Sequence, residues 1–150
     1  MLAWPDIVVT KPDSPEVLLA VEVKNGAGDV LVAETRIKDY MVHQSCPVGM
    51  LVTAEDTSFF RNPYTGYEAE TIQKIAECRT NELLGGMPDK AAITESYLAL
   101  RVEQWLESLP ASGRRVWPPS VAEAIESLVL PSVAGGIIRA TGPRWRRTGS

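Results

Sequence analysis

One histidine and two cysteines are all the imidazole and thiol groups that the 150 residues offer. Cys46 and Cys78 have neither the spacing of a zinc site nor the density of a disulfide scaffold, so both are read as small buried hydrophobes. With His43 as the single histidine, no Ser/His/Asp or Cys/His nucleophile set can be assembled. No apolar run approaches the ~20 residues that a membrane helix needs. The opening Met1-Leu2-Ala3-Trp4-Pro5 lacks the basic and then apolar pattern of a secretory signal. A cytoplasmic location without a membrane partner is therefore expected. Gly26-Ala27-Gly28-Asp29 lacks the lysine and Ser/Thr of a phosphate-cradling loop. Internal repeats and low-complexity segments are missing as well. Positive charge is scarce: the net charge is −4. It becomes about −8 once Arg139, Arg144, Arg146 and Arg147 near the end of the sequence are set aside. An acidic body with a basic tail is compatible with metal binding in the body and phosphate contact by the tail.

A hydrophobic content of 45% and a charged content of 23% suit one soluble domain with a core. Residues 6–10 read as a short strand rich in β-branched side chains. Pro12, Asp13 and Pro15 mark a turn. Residues 17–24 form a nearly continuous apolar run, the pattern of a buried central strand. Residues 30–43 carry Val30, Ala33, Ile37, Tyr40 and Met41 on one helical face, with Asp29 as an N-cap and His43 as a cation near the C-terminus. Residues 48–54 predict a third strand and 57–61 a short fourth strand at an edge, before turns at Asn62-Pro63 and Thr65-Gly66. The second half reads as helical. One helix is predicted from about Glu68 to Leu84, stopped by Gly85-Gly86. A second runs from about Ile93 to Leu109, with Trp105 in its apolar stripe. A third opens on a Ser120–Glu123 capping box and ends before Pro131.

The charged end of the second strand is the anomaly. Glu22 and Lys24 lie two apart and so leave one face of the sheet. If the first two strands form a hairpin, Asp6 lies beside them. Two carboxylates and a lysine at the end of an apolar strand are costly to bury without a purpose. Buried carboxylates are usually paired or bound to metal, and hard oxygen donors suit Mg²⁺ or Mn²⁺. Asp6 and Glu22 would be the metal ligands, joined by the backbone carbonyl of Val23. A metal held there would polarise a phosphodiester and lower the pKa of a bound water. Lys24 would orient the water or stabilise the charged transition state. Alternatively, Glu22 and Lys24 are a solvent-facing pair on an edge strand, with Asp6 a turn residue.

Pro5-Asp6 and Glu22-Val23-Lys24, with their neighbours PDIVVT and EVLLAVEVKN, resemble the PD-(D/E)XK nuclease superfamily. The resemblance is greatest to the nuclease domains of type I restriction subunits and to RecB-like nucleases, and it covers about residues 4–62. It implies an α/β restriction-endonuclease-like core, a central mixed sheet flanked by helices, with Asp6, Glu22 and Lys24 as catalytic residues. It also implies a Mg²⁺ or Mn²⁺ cofactor and a nucleic-acid substrate, DNA before RNA. Those families carry a Gln-x-x-x-Tyr signature on the next helix. Here Tyr40 matches and Arg36 stands in place of the glutamine, one helical turn away, where both would contact phosphate or the site.

The family also has a helix and a strand before the aspartate strand, and only five residues precede Asp6 here. The expectation is a core over residues 1–84 without that front layer, a helical extension over 85–138 and a basic, flexible tail over 139–150. Either the start is shortened, or the gene is a fragment, or the missing layer comes from elsewhere in the chain or from a partner subunit. The competing reading is a non-catalytic module that keeps the fold for binding or assembly and dimerises through its helical half. Trp145, amid Arg144, Arg146 and Arg147, would stack on a base if the tail meets nucleic acid.

Overall fold

A computed structural model describes residues 5–25, 30–88, 92–111 and 117–140. The architecture is α/β, a six-stranded mixed sheet with helices on both faces. The strands are β1 (Ile7–Thr10), β2 (Val17–Lys24), β3 (Val48–Thr53), β4 (Asp56–Arg61), β5 (Gln73–Arg79) and β6 (Ile137–Ala140), in the spatial order β5-β4-β3-β2-β1-β6. Only β2 and β3 are parallel; the other neighbours are antiparallel. The parallel pair needs a crossover, which α1 (Val30–His43) supplies. Asp29, Gly26 and Gly28 lie outside the described residues, and so does the expected N-cap.

The hairpin expected from the turn at Pro12–Pro15 forms, with Ile7 opposite Val21 and Val9 opposite Leu19. β3 is buried at every position, as its unbroken apolar run requires of a central strand. Alternation along the strands divides the core in two. Ile7, Val9, Leu19, Val21, Met50, Val52 and Phe59 point to one side, where they meet α3 (Glu95–Ser108) and the helical segment after it. Val8, Ala20, Leu51 and Phe60 point to the other, where α1 lays down Ala33, Ile37, Tyr40 and Met41. Each large side chain so buried contributes roughly 1.5–3 kcal/mol. Gly49 lets α1 come this close, since a Cβ there would stand 2.5 Å from Met41 Sδ.

Several sequence expectations are corrected. The helix expected over residues 68–84 is instead a short 3-10 turn (Ala69–Thr71), then β5, then α2 (Thr80–Leu84). Pairing with β4 decides the matter. It places Cys78 opposite Thr57 and Ala76 opposite Phe59, which buries alternate residues of a segment that also fits helical spacing. The glycine stop stands, with Gly85 and Gly86 at φ 71° and 48°. β4 is consequently an inner strand and not an edge. α3 is capped by Thr94, whose Oγ1 accepts from the Tyr97 amide at 3.0 Å.

The expected capping box at Ser120 does not form, because α4 (Pro119–Ala124) starts one residue earlier with Pro118 in the cap position. Nor does the helix stop at Pro131. It passes through a π-helical stretch (Ile125–Val129) into α5 (Leu130–Ala134). The widened turn sits immediately before the residue whose ring would clash with a regular one. The segment read as a helical extension packs its Leu98, Val102, Leu106, Val121 and Ile125 into the same core as the sheet. Arg139, read as the start of a tail, lies in β6, opposite Val8. Gly136 permits the turn into that strand. A Cβ there would meet the carbonyl oxygens of Ser132 and Thr10 at 2.8 Å. Arg144–Arg147 lie outside the described residues. Among the described residues, no helix is long and apolar enough to cross a membrane.

Candidate metal and phosphate site

Glu22 and Lys24 lie at the carboxyl end of β2, on the α1 side of the sheet with Ala20. Asp6 precedes β1 by one residue and, by the register of Ile7 with Val21, stands across from Glu22. The hairpin therefore brings together the three residues singled out from the sequence. Asp6 is fixed twice. Its Oδ2 accepts the Val23 amide at 2.8 Å, and its carboxyl shares a hydrogen bond with that of Glu22. In an extended strand a residue's N–H and C=O leave by the same edge. The Val23 carbonyl thus also faces the Asp6 edge, the side required of a third oxygen ligand.

Glu22 is 7% exposed. Burial raises its pKa first, and the neighbouring Asp6 adds to the rise; Lys24 and Arg36 oppose it without cancelling it. The carboxyl is pushed up to about 8. A bound cation would offset the cost of ionising this buried carboxyl. Among the described residues, no group of three or more His, Cys, Asp or Glu side chains comes together. The oxygens that a cation could take there would be two carboxylates and a backbone carbonyl. They suit Mg²⁺, which keeps several waters and takes few protein ligands, better than a soft or tetrahedral metal.

Arg36, exposed on α1, lies close enough for its charge to act on Glu22. Tyr40 does not join the group so plainly. It is 2% exposed, within the α1-side core, and the acidity of its hydroxyl is lowered by burial and by the nearby Cys46. Its described surroundings are those of a core residue rather than a phosphate contact. His43 closes the last turn of α1, with Nδ1 2.9 Å from the Asp39 carbonyl. Both cysteines are buried and free, and Trp105 is in the core.

The chain matches no family model, no curated protein and no solved structure.

One polar group on the same face was missed in the sequence. Ser58 on β4 donates to Glu77 on β5 at 3.0 Å, Lys74 pairs with Glu77 at 3.0 Å, and Lys74 also approaches Glu34 of α1 at 3.8 Å. Lys38 completes the chain with Glu34 at 2.9 Å. Reading 73–79 as helix hid Glu77, because only strand pairing turns it to the α1 side. Period-two burial at Ala76, Cys78 and Thr80 was the available signal. Unlike Glu22, Glu77 has its carboxyl held below the ordinary range by Lys74 and Ser58. This second acid is already balanced by its neighbours, whereas the Asp6–Glu22 pair is not.

Proposed function

We propose that this protein is a metal-dependent nuclease of the PD-(D/E)XK type that hydrolyses phosphodiester bonds, in DNA before RNA. The observation that carries the reading is the carboxyl pair of half-buried Asp6 and buried Glu22 at the end of a hairpin, with Lys24 two residues on and the Val23 backbone between. A pair that raises the pKa of one member this far is expensive in a structural role. It is well suited to a cation. When bound, Mg²⁺ or Mn²⁺ would supply charge neutralisation at the phosphate and a more acidic water.

The chain's own groups do the rest. The Val23 amide holds Asp6 in place beside Glu22. Lys24 sits where a cation would hold a water or a phosphate oxygen and offset negative charge developing at phosphorus. Arg36 offers a planar fork to a neighbouring phosphate.

The topology supports this assignment. The family layout requires a strand on the outer side of the aspartate strand and a helix beside it. Here β6 pairs with β1 on that side, and α3 packs against β2 and β6. The front layer thus has a counterpart drawn from the end of the described chain.

The test is cleavage of single-stranded, duplex and branched DNA with Mg²⁺, with Mn²⁺ and with EDTA, using the wild type, Glu22→Ala and Lys24→Ala. Metal-dependent cutting lost by at least about 100-fold in both variants is expected. Folded protein that cuts nothing, and whose melting temperature ignores Mg²⁺ and Mn²⁺, would leave the non-catalytic module in its place.

A further inference from the structure

On the α1 side of the sheet, α1 covers β2 and β3 and leaves the outer strands β1 and β6 beside a cavity of about 570 Å³. Val8, Val17, Pro12 and Pro15 give it an apolar lining. Its polar groups include Arg139 from β6 and Thr10 from β1. The arginine is held rather than loose. Its Nε donates to Thr10 Oγ1 at 3.1 Å, and Thr10 is itself only 6% exposed. Fixing Nε leaves the two terminal amino groups of an exposed guanidinium to meet a ligand. This volume is in the range of small-ligand sites, whose walls are mostly apolar with a few placed polar groups.

Arg139 stands opposite Val8, and Val8 is two residues from Asp6 on the same side of the strand. Two residues span about 7 Å along a strand, and neighbouring strands lie about 5 Å apart. One polymer strand can therefore touch Arg139 and the carboxyl pair together.

We propose that this cavity is a subsite for one unpaired nucleotide of the substrate strand. The base lies on the exposed Pro12 and Pro15, with the buried Val8 and Val17 beneath them, and its phosphate lies on Arg139. The assignment deepens the nuclease reading and rests on it for the direction of the strand. A planar base needs an apolar surface and a phosphate needs a fork of donors, and the cavity provides both. Asp13 at the turn cannot take the phosphate; it is an acceptor for an N–H on the base edge, such as the imino N3–H of thymine. A base stacked within a duplex cannot enter. The favoured substrate is thus single-stranded, or carries a nucleotide flipped out of the stack.

The test is fluorescence anisotropy of the full chain with a labelled ten-nucleotide oligothymidylate in EDTA, where nothing is cut, across a salt series. Arg139→Ala should weaken binding by about five- to tenfold and reduce the salt slope by roughly 0.7, the value of one phosphate on a single strand. Gln44→Glu, a change of charge at the exposed rim that leaves the sheet alone, should weaken it several-fold. Arg139→Lys should recover only part of the loss. Both alanine and glutamate variants should keep the melting shift given by Mn²⁺. Unchanged affinity and slope in Arg139→Ala would overturn the subsite. So would a duplex of equal length bound as tightly, or thymidine monophosphate competing as well as the oligomer. The two readings fail separately. A Mn²⁺ shift lost in Glu22→Ala, with no oligomer binding by the wild type, removes only the subsite. Binding that depends on Arg139, without any metal response, removes only the nuclease centre.

Discussion

On the side of the sheet covered by α3, α4 and α5, the strands present an almost wholly apolar surface, from Ile7 on β1 to Cys78 on β5. Its one buried hydroxyl of note, Thr57, is matched 2.9 Å away by Thr80. On the α1 side, the same strands present Asp6, Glu22, Lys24, Ser58 and Glu77 around a smaller apolar patch. The two faces share a backbone and a register, so alternation alone separates them. One face is given over to packing. The other gives up part of its core to hold charge, the kind of departure from packing on which the proposed function rests.

Substitutions of opposite sign should break this symmetry of backbone and expose the asymmetry of purpose. The largest effect belongs to the apolar face. Phe59→Ala removes a fully buried ring between the sheet and the helices and should cost about 3–5 kcal/mol in denaturant unfolding. A loss below 1 kcal/mol would mean that this face is not the main source of stability.

A smaller loss is expected on the α1 side. Gly49→Ala places a methyl against Met41 Sδ and should cost about 1–3 kcal/mol, with α1 displaced from β3. Because α1 carries Arg36, metal affinity or cleavage should fall with it. An unchanged stability would show that Met41 gives way freely.

The smallest effect has the reverse sign. The raised pKa of Glu22 favours its protonated form in the folded protein, so the native state binds more protons than the unfolded one. The stability this contributes is fully present below the unfolded carboxyl's pKa near 4.5 and is lost as pH rises through about 8. Metal-free Glu22→Gln should therefore melt a few degrees higher than the wild type at pH 8 and about equally at pH 4.5, with no gain from Mg²⁺. A variant less stable than the wild type at pH 8 would show that Glu22 is a structural acid after all.

The legible part of the fold is the part whose contacts are close in sequence. β1, β2, α1 and β3 follow one another, and each carries its own period. The candidate site falls within that stretch, so Asp6, Glu22 and Lys24 were readable from spacing and from the hairpin turn. β5 was not readable, because Ile72, Ala76 and Leu83 fit a helix while Ala76, Cys78 and Thr80 fit a strand. The β4 partner that decides between them acts through pairing rather than through local propensity. Arg139 was hidden for the same reason. Ile137 and Ile138, read as the end of a helical extension, and Arg139, read as the start of a tail, become a strand only when β1 offers them an edge. Pro131 misled in the other direction, since a π-helical turn upstream accommodates it.

The pairing of Ile7 with Ala140 has a further consequence, for the order of assembly. The β1–β2 hairpin and the β2–α1–β3 crossover close short loops and can form early. The outer edge of β1 must wait for a partner more than a hundred residues later, a contact of the slow, long-range kind. During vectorial synthesis the strand next to Asp6 is thus left one-sided until nearly the whole described chain has emerged. The groove beside the carboxyl pair, with Arg139 as one wall, is completed last. On the proposed function, binding of a substrate strand would in this way be tied to completion of the sheet.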